Sequence, residues 1–104
     1  NFSAGETIFS EGEASSQMFG VVSGAVDLLK DGELVVRIGA GGTFGEMGII
    51  DGAPRSLSAV ASELSEIAVI DQRTFLFLVQ ETPMFALQVM RSLASRIREL
   101  DQAG

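Results

Sequence analysis

The sequence predicts a mainly β fold: an antiparallel sandwich or roll of short strands followed by C-terminal α-helices. Eleven of the twelve glycines lie within the first 52 residues, where they separate short runs of apolar and β-branched residues. Short strands with glycine turns at near-regular spacing are typical of antiparallel rolls and sandwiches. From residue 71 onward the apolar period becomes that of a helix. We therefore expect a single domain over 1–104, with a roll over 1–70 and two helices over 71–103.

Six runs have the composition of strands. They are Thr7–Ser10, Met18–Ser23, Ala25–Lys30, Leu34–Ile38, Ser56–Ala61 and Glu66–Ile70. Asp31 and Gly32 separate two of these runs and predict a two-residue hairpin turn, because both tolerate a positive φ. Asp27 and Glu33 add carboxylates near this turn, but the group lacks the ligand density of a calcium loop, so we interpret it as a solvated turn.

Two helix starts follow the strands. Asp71 is a predicted N-cap for a first helix through Thr74–Val79, and Thr82 with Pro83 predicts the start of a second helix. One apolar stripe runs along the second helix, over 82–103: Phe85, Val89, Leu93, Ile97 and Leu100. This stripe indicates core packing. The alternative is a homodimer seam with a second copy of the chain. Three arginines, which predict mainly a solvated helix face, fall off the stripe: Arg91, Arg96 and Arg98.

Charge and composition narrow the function. Fourteen acidic residues against seven basic ones give a formal net charge of −7, which disfavours polyanions; we expect no direct nucleic acid contact by this segment. No apolar run has the length of a membrane span, so we expect no membrane insertion. The chain has no cysteine and no histidine. Thiol and Ser–His catalysis and most transition-metal centres depend on these residues, so we expect no enzyme, no metal and no resident cofactor.

The stretch from Gly39 to Ala59 contains the residues best suited to binding a ligand. Gly45 to Ile50 reads as one helical turn after a glycine-rich loop, an arrangement whose backbone N–H groups favour an anion such as phosphate. Arg55 is the only basic residue between positions 38 and 72, and arginine can hold two phosphate oxygens at once. The neighbouring Ser56 adds a hydroxyl that can bond the same anion.

Glu46 suits the sugar of a nucleotide rather than its phosphate. A carboxylate can accept a hydrogen bond from a ribose 2′-hydroxyl, as in dinucleotide-binding folds. An acid and an arginine on either side of a glycine-bearing turn therefore suit a ribose joined to a phosphate. The alternative is structural: turn glycines, a solvated Glu46, and a surface ion pair of Arg55 with Glu46 or Asp51.

The segment Phe44-Gly-Glu-Met47 with Pro54-Arg-Ser56 resembles the phosphate-binding cassette (residues 44–57 here) of the cyclic nucleotide-binding domain family, in particular its bacterial cAMP-receptor-like sensors. Residues 4–12 and 18–24 are similar to the family's opening strand motif and to its next strand and glycine turn. The resemblance implies an eight-stranded antiparallel jelly-roll β-barrel (double-stranded β-helix) that holds cAMP or cGMP inside the roll, with the two helices as the family's B and C helices.

The resemblance also implies roles for individual residues. Glu46 accepts from the ribose 2′-hydroxyl, and Arg55 pairs with the cyclic phosphate. The further expected ligand contacts are the backbone amides of Gly45, Met47 and Gly48, the hydroxyl of Ser56, and Phe44 as a wall. Leu57 departs from the pattern, because the family usually has a small residue there. Its backbone N–H is retained, while its side chain is expected to crowd the phosphate or redirect the strand.

The sequence thus predicts a sensor module that binds a cyclic purine mononucleotide, cAMP in preference to cGMP. Occupancy is expected to pass through the helix from Thr82, hinged at Glu81–Met84, to an effector domain such as a DNA-binding domain. That effector is absent from this chain, which begins at Asn1 rather than Met and is expected to be part of something longer. The alternative is an orphan domain of the same fold, a dimerisation or interaction module. Without an export signal, a cytoplasmic location is expected.

Overall fold

The computed structural model describes residues 1–103, and for Arg96 and residues 98–103 it describes the backbone alone. It contains two compact units, one over Asn1–Gln72 and one from Arg73 onward. The first holds the strands and the second holds nearly all of two long helices. The predicted mainly β fold with C-terminal helices is confirmed.

The seven strands of the described residues bracket one short helix. Their bounds are β1 Thr7–Phe9, β2 Gln17–Ser23, β3 Ala25–Lys30, β4 Glu33–Gly39, β5 Thr43–Phe44, β6 Ser58–Ala61 and β7 Glu66–Asp71. Helix α1 spans Met47–Ile50, between β5 and β6. The predicted one-turn helix is confirmed, although it begins at Met47 rather than Gly45. The predicted strand from Ser56 is wrong in its first two residues, because the chain bends through Ser56 and Leu57.

The strands form two antiparallel sheets, ordered β1-β6-β3-β4 and β5-β2-β7. No ladder joins the two sheets within residues 1–103, so the expected closure into a barrel is wrong. The family's eight strands are also not matched in this part of the chain, where seven are described. Because β1, β4, β5 and β7 each have one neighbour, every sheet keeps two edges, and the fold is an open two-sheet roll.

The β3–β4 hairpin turns as predicted. Lys30 pairs with Glu33, and the two residues between them, Asp31 and Gly32, have φ values of 52° and 81°. Two consecutive positive φ angles are the signature of a tight turn whose twist matches that of the flanking strands. The Asp-Gly pair therefore fixes the register next to the turn, and the register shifts by one residue between Leu28 and Leu29.

The core lies where side chains of both sheets meet. From the first sheet come Phe9, Val26, Leu28 and Ala59, and from the second come Phe19, Val21 and Phe44. The three phenylalanine rings pack together, with centroids 5.3 to 6.0 Å apart. Alternate residues of a strand face the same side, so each short strand contributes only one or two residues to this cluster.

Gly24 lies at the sharp turn between β2 and β3, against a buried serine. Ser65 is 1% exposed, and its hydroxyl accepts a hydrogen bond from the Ala25 backbone N–H at 3.0 Å. Gly24 has a φ of +87°, and a Cβ on it would overlap the Ser65 side chain and lie 2.5 Å from the carbonyl oxygen of Leu64. Only glycine fits both the conformation and the space.

The two long helices are α2, Gln72–Glu81, and α3, Pro83–Ala103. Both predicted starts are confirmed: α2 begins directly after Asp71, and proline is the first residue of α3. Phe75 of α2 meets Phe85 of α3 edge to face, with centroids 5.8 Å apart. No helix of the described residues is long and apolar enough to cross a membrane.

The predicted stripe on α3 differs in exposure along its length. Val89 is 3% exposed, Phe85 and Leu93 are half-buried, and Ile97 is 59% exposed. Leu100, Arg96 and Arg98, also named from the sequence, lie outside the described side chains. Arg91 is exposed, as expected for a solvated face.

We expect Gly24→Ala to lower the free energy of unfolding by about 2–4 kcal/mol, because it combines a disfavoured φ with overlap in a closed space. Urea unfolding of the purified chain measures this. The matched control is Gly5→Ala: Gly5 has nearly the same φ, +84°, but open space around its missing Cβ. The control should lose only about 1 kcal/mol. Equal losses at the two glycines would contradict the close packing of Ser65 against Gly24.

Candidate functional site

The turn between β5 and α1 makes room for an arginine side chain. Gly45, at a φ of +77°, would carry a Cβ only 2.8 Å from Nη1 of Arg55 and 3.2 Å from the Phe19 ring. Gly48 is buried, and a Cβ there would lie 2.5 Å from Oγ of Ser15 and 3.1 Å from the same Nη1. These two glycines therefore lie directly against the Arg55 guanidinium.

The guanidinium is fixed by two hydrogen bonds and two rings. Nη1 donates to the carbonyl of Gly45 at 2.8 Å, and Nη2 donates to the carbonyl of Gln17 at 2.7 Å. Its central carbon lies 4.3 Å from the centroid of the Phe9 ring and 5.5 Å from that of Phe19, within range of cation–π attraction. Two of the five N–H donors of an arginine serve these carbonyls, so the fork retains donors for an anion.

The backbone of Arg55 is held by the loop between β1 and β2. The N–H of Gly12 donates to the carbonyl of Arg55 at 2.8 Å, and the N–H of Arg55 donates to the carbonyl of Glu13 at 2.9 Å. In the same loop Ser15 donates to the carbonyl of Ala53 at 2.6 Å. None of the site residues expected from the sequence lies in this loop, although Gly12 is the last residue of the opening strand motif that carries part of the resemblance.

Glu46 is fully buried, at 0% exposure, in the N-cap position of α1. Its charge and that of Glu13 both attract the guanidinium of Arg55. Burial lowers the pKa of Arg55, and the two carboxylates oppose that change. An arginine remains protonated at neutral pH in any protein environment, so the site presents one cation flanked by two acids. The convergence of positions 46 and 55 on one ligand stays a prediction.

The other four predicted site residues differ in how deeply they are buried. Phe44 is fully buried and stacks on Phe19, with centroids 5.3 Å apart. Met47 and Ser56 are exposed. Leu57 is partly buried and packs against the core cluster. The ligand contacts expected of these four residues stay predictions.

The tip of the β3–β4 hairpin contacts both the loop after β1 and the end of the cassette. Glu11 accepts a hydrogen bond from the backbone N–H of Asp31 at 2.9 Å, which lowers the pKa of the Glu11 carboxyl, and its other oxygen lies 3.4 Å from Nζ of Lys30. The same Nζ lies 3.4 Å from the carbonyl oxygen of Ser56. The backbone N–H of Glu11 donates to Ser58 at 3.1 Å. Sequence reasoning missed this contact, since its residues are far apart along the chain.

The acids of the hairpin do not assemble a metal site. Asp27 receives two hydrogen bonds from Arg37, at 2.6 and 3.1 Å, across the β3–β4 pair. Within the described part of the chain, no three acidic side chains come together in a way that would hold a metal ion. Asp27 thus lies within β3 and is paired with Arg37 rather than belonging to the solvated turn.

The comparisons with known proteins point to one family. A family model, the cyclic nucleotide-binding domain, matches residues 1–82. The cyclic AMP receptor protein of Thermus thermophilus is 33% identical over 102 residues, which cover 93% of this chain and 47% of that protein.

Solved structures agree. The crystal structure of the Thermus thermophilus catabolite activator protein matches with a TM-score of 0.84 at 33% identity, covering 98% of this chain and 50% of that one. A second structure, whose description is of a cyclic-GMP-dependent signalling pathway that regulates bacterial phytopathogenesis, matches with a TM-score of 0.79 at 34% identity. The match covers 93% of this chain and 81% of that one. The chain thus spans about half the length of its first relatives. On the family match, the sequence identity and the shared fold, this chain belongs to the cyclic nucleotide-binding domain family.

Proposed function

We propose that this chain is a non-catalytic regulatory module that binds a cyclic purine mononucleotide, cAMP in preference to cGMP. The observation that carries the proposal is the guanidinium of Arg55, held over Gly45 and Gly48 at the start of α1, with the buried Glu46 in the same cassette. A fixed cation beside a glycine-lined turn suits the phosphate, and a buried carboxylate suits the ribose.

Preorganisation supports the phosphate role of Arg55. Its backbone is bonded on both sides by the 12–13 loop, and its guanidinium is bonded to two carbonyls and covered by Phe9 and Phe19. A side chain already fixed in one place loses little conformational entropy when it binds an anion. The contact with two core rings also removes part of the guanidinium from water, which strengthens its attraction to a phosphate.

Two further placements support the proposal. Because Glu46 is buried, a hydrogen bond from a ribose hydroxyl to it would form away from water, where it contributes more to affinity. The side chain of Leu57 packs against the core cluster, which supports a position for it outside the phosphate pocket. On this proposal the backbone N–H groups of Gly45, Met47, Gly48 and Leu57 and the hydroxyl of Ser56 complete the anion contacts, and Phe44 supports the turn from below.

The preference for cAMP is the finer part of the proposal. It is supported by the likeness to a cyclic AMP receptor protein over nearly the whole chain. The structure from a cyclic-GMP-dependent pathway has nearly the same sequence identity to this chain, 34%. A direct comparison of the affinities for the two ligands is therefore the decisive measurement.

We further propose that occupancy of the site is relayed through α3 to an effector domain, with the residues 81–84 as the hinge, in the cytoplasm. The short break between α2 and α3 supports a hinge: α2 ends at Glu81 and α3 begins at Pro83. This chain covers about half the length of these relatives, and the other half of a protein of that length is long enough for an effector, such as a DNA-binding domain. A ligand changes such an equilibrium only through contacts that differ between two states.

A second candidate function is an orphan module that binds no cyclic nucleotide and serves dimerisation or another interaction. One observation favours it: the two long helices expose large apolar side chains, namely Leu76, Phe77, Met84, Leu87, Met90 and Ile97. Exposed apolar side chains that lie together are typical of interaction surfaces.

We expect Arg55→Ala to weaken cAMP binding by about 30- to 1000-fold, because losing a charge-assisted partner of a phosphate costs about 2–4 kcal/mol. Arg55→Lys should recover only part of this loss, since lysine keeps the charge but lacks the planar fork. Isothermal titration calorimetry measures both. Arg37→Ala is the matched control, because Arg37 lies on β4, is exposed and is hydrogen-bonded to Asp27 of the neighbouring β3. Parent-like binding by Arg55→Ala would refute the phosphate role of Arg55.

We expect Glu46→Ala to weaken cAMP binding less than Arg55→Ala does, by about tenfold, through loss of one hydrogen bond from the ribose 2′-hydroxyl. The sharper measurement is the affinity for 2′-deoxy-cAMP, which lacks that hydroxyl. The parent should bind the deoxy analogue about tenfold more weakly than cAMP, and Glu46→Ala should no longer distinguish the two. If the variant still discriminates between them as the parent does, Glu46 does not contact the 2′-hydroxyl.

Thermal unfolding with cAMP, cGMP and linear AMP separates the two candidate functions. Ligand at 100 times its dissociation constant adds about 2.7 kcal/mol to the stability of the chain. We expect the largest increase in melting temperature with cAMP, a smaller one with cGMP and almost none with AMP at equal concentration. Identical melting curves with and without all three ligands would favour the orphan module.

A further inference from the structure

The backbone of Glu13 is hydrogen-bonded to that of the site arginine. Its carbonyl accepts the N–H of Arg55 at 2.9 Å, and the preceding Gly12 donates to the Arg55 carbonyl at 2.8 Å. The Glu13 side chain therefore starts one backbone hydrogen bond away from the residue that carries the proposed phosphate contact. Unlike the buried Glu46, Glu13 is exposed to solvent.

The charge of Glu13 acts on the charge of Arg55. Both Glu13 and Glu46 attract the guanidinium, and the effect of Glu13 is the larger of the two. No other basic residue lies between positions 38 and 72 of the sequence. The positive field that an anion meets at Arg55 is therefore reduced by an acid that takes no part in the proposed ribose or phosphate contacts.

We propose that Glu13 is a specificity-determining residue that favours singly charged cyclic phosphates over doubly charged linear nucleotide monophosphates. This inference rests on the proposed function and names the charge class that the same site selects. A cyclic phosphodiester carries one negative charge, whereas a terminal phosphate carries about 1.5 to 2 at neutral pH. Coulomb repulsion scales with the product of the charges, so Glu13 opposes AMP about twice as strongly as it opposes cAMP.

The size of the effect follows from the exposure of Glu13. At an exposed site the effective dielectric constant approaches that of water, and repulsion between two neighbouring unit charges then changes an affinity about three- to fivefold. For a doubly charged ligand the factor is squared, to about tenfold or more. Since an exposed charge is screened by salt, both factors should decline toward one at high ionic strength.

The test compares Glu13→Gln with two controls. Glu13→Asp keeps the charge at the same position and should retain the parent's affinities. Glu66→Gln removes the same charge from the first residue of β7, which pairs with Ser23 at the far end of β2 from Gln17, roughly 20 Å away along the strand. Melting temperatures verify that each variant is folded. For each, calorimetry gives the cAMP affinity, and displacement of bound cAMP gives the AMP affinity, at ionic strengths of about 0.01 M and about 1 M.

We expect Glu13→Gln at low salt to bind cAMP about three- to fivefold more tightly and AMP about tenfold more tightly, with both gains shrinking at high salt. Unchanged or weaker cAMP binding by Glu13→Gln would overturn the inference. So would an equal gain in Glu66→Gln, a gain for AMP no larger than that for cAMP, or the same gain in Glu13→Asp. A parent chain that binds no cyclic nucleotide would instead overturn the proposed function, and this inference with it.

Discussion

The architecture of the site depends on where one guanidinium is held. Arg55 is bonded through its backbone to the loop at positions 12–13, and through its side chain to the carbonyls of Gly45 and Gln17. Those contacts come from three separate stretches of the chain, and they converge because β1, β2 and the turn before α1 meet over the same aromatic cluster. A cation is costly to place against apolar rings unless it is hydrogen-bonded, and here the backbone supplies the acceptors.

Local chemistry made much of this fold predictable. Asp31-Gly32 and Thr82-Pro83 require particular backbone angles, so the hairpin and the start of α3 follow from the sequence directly. Closure was not predictable in the same way. Whether a roll seals into a barrel depends on pairing between strands distant in sequence, and a pattern of alternating residues does not report it. Strand β5 was missed because two residues are too few to show a period.

The candidate site was predictable in part for a related reason. Glu46 and Arg55 carry distinctive side chains within one short segment, so their type and spacing indicated a sugar-phosphate ligand before any contact was known. The groups that hold Arg55 were not predictable, because most of them are backbone atoms: the N–H of residue 12 and the carbonyls of residues 13 and 17. Every amino acid has a backbone carbonyl, and every one except proline has a backbone N–H, so side-chain type does not reveal these contacts. Glu13 was missed for the further reason that an exposed acid in an acidic chain has no signal of its own.

The phenylalanines under Arg55 belong to the hydrophobic core as well as to the floor of the site. Phe9 and Phe19 each contact the third ring, that of Phe44, and each lies beneath the guanidinium. A substitution of either ring therefore changes the packing of the interior and the position of the guanidinium together. In related chains, replacements at positions 9 and 19 should be constrained jointly by both effects.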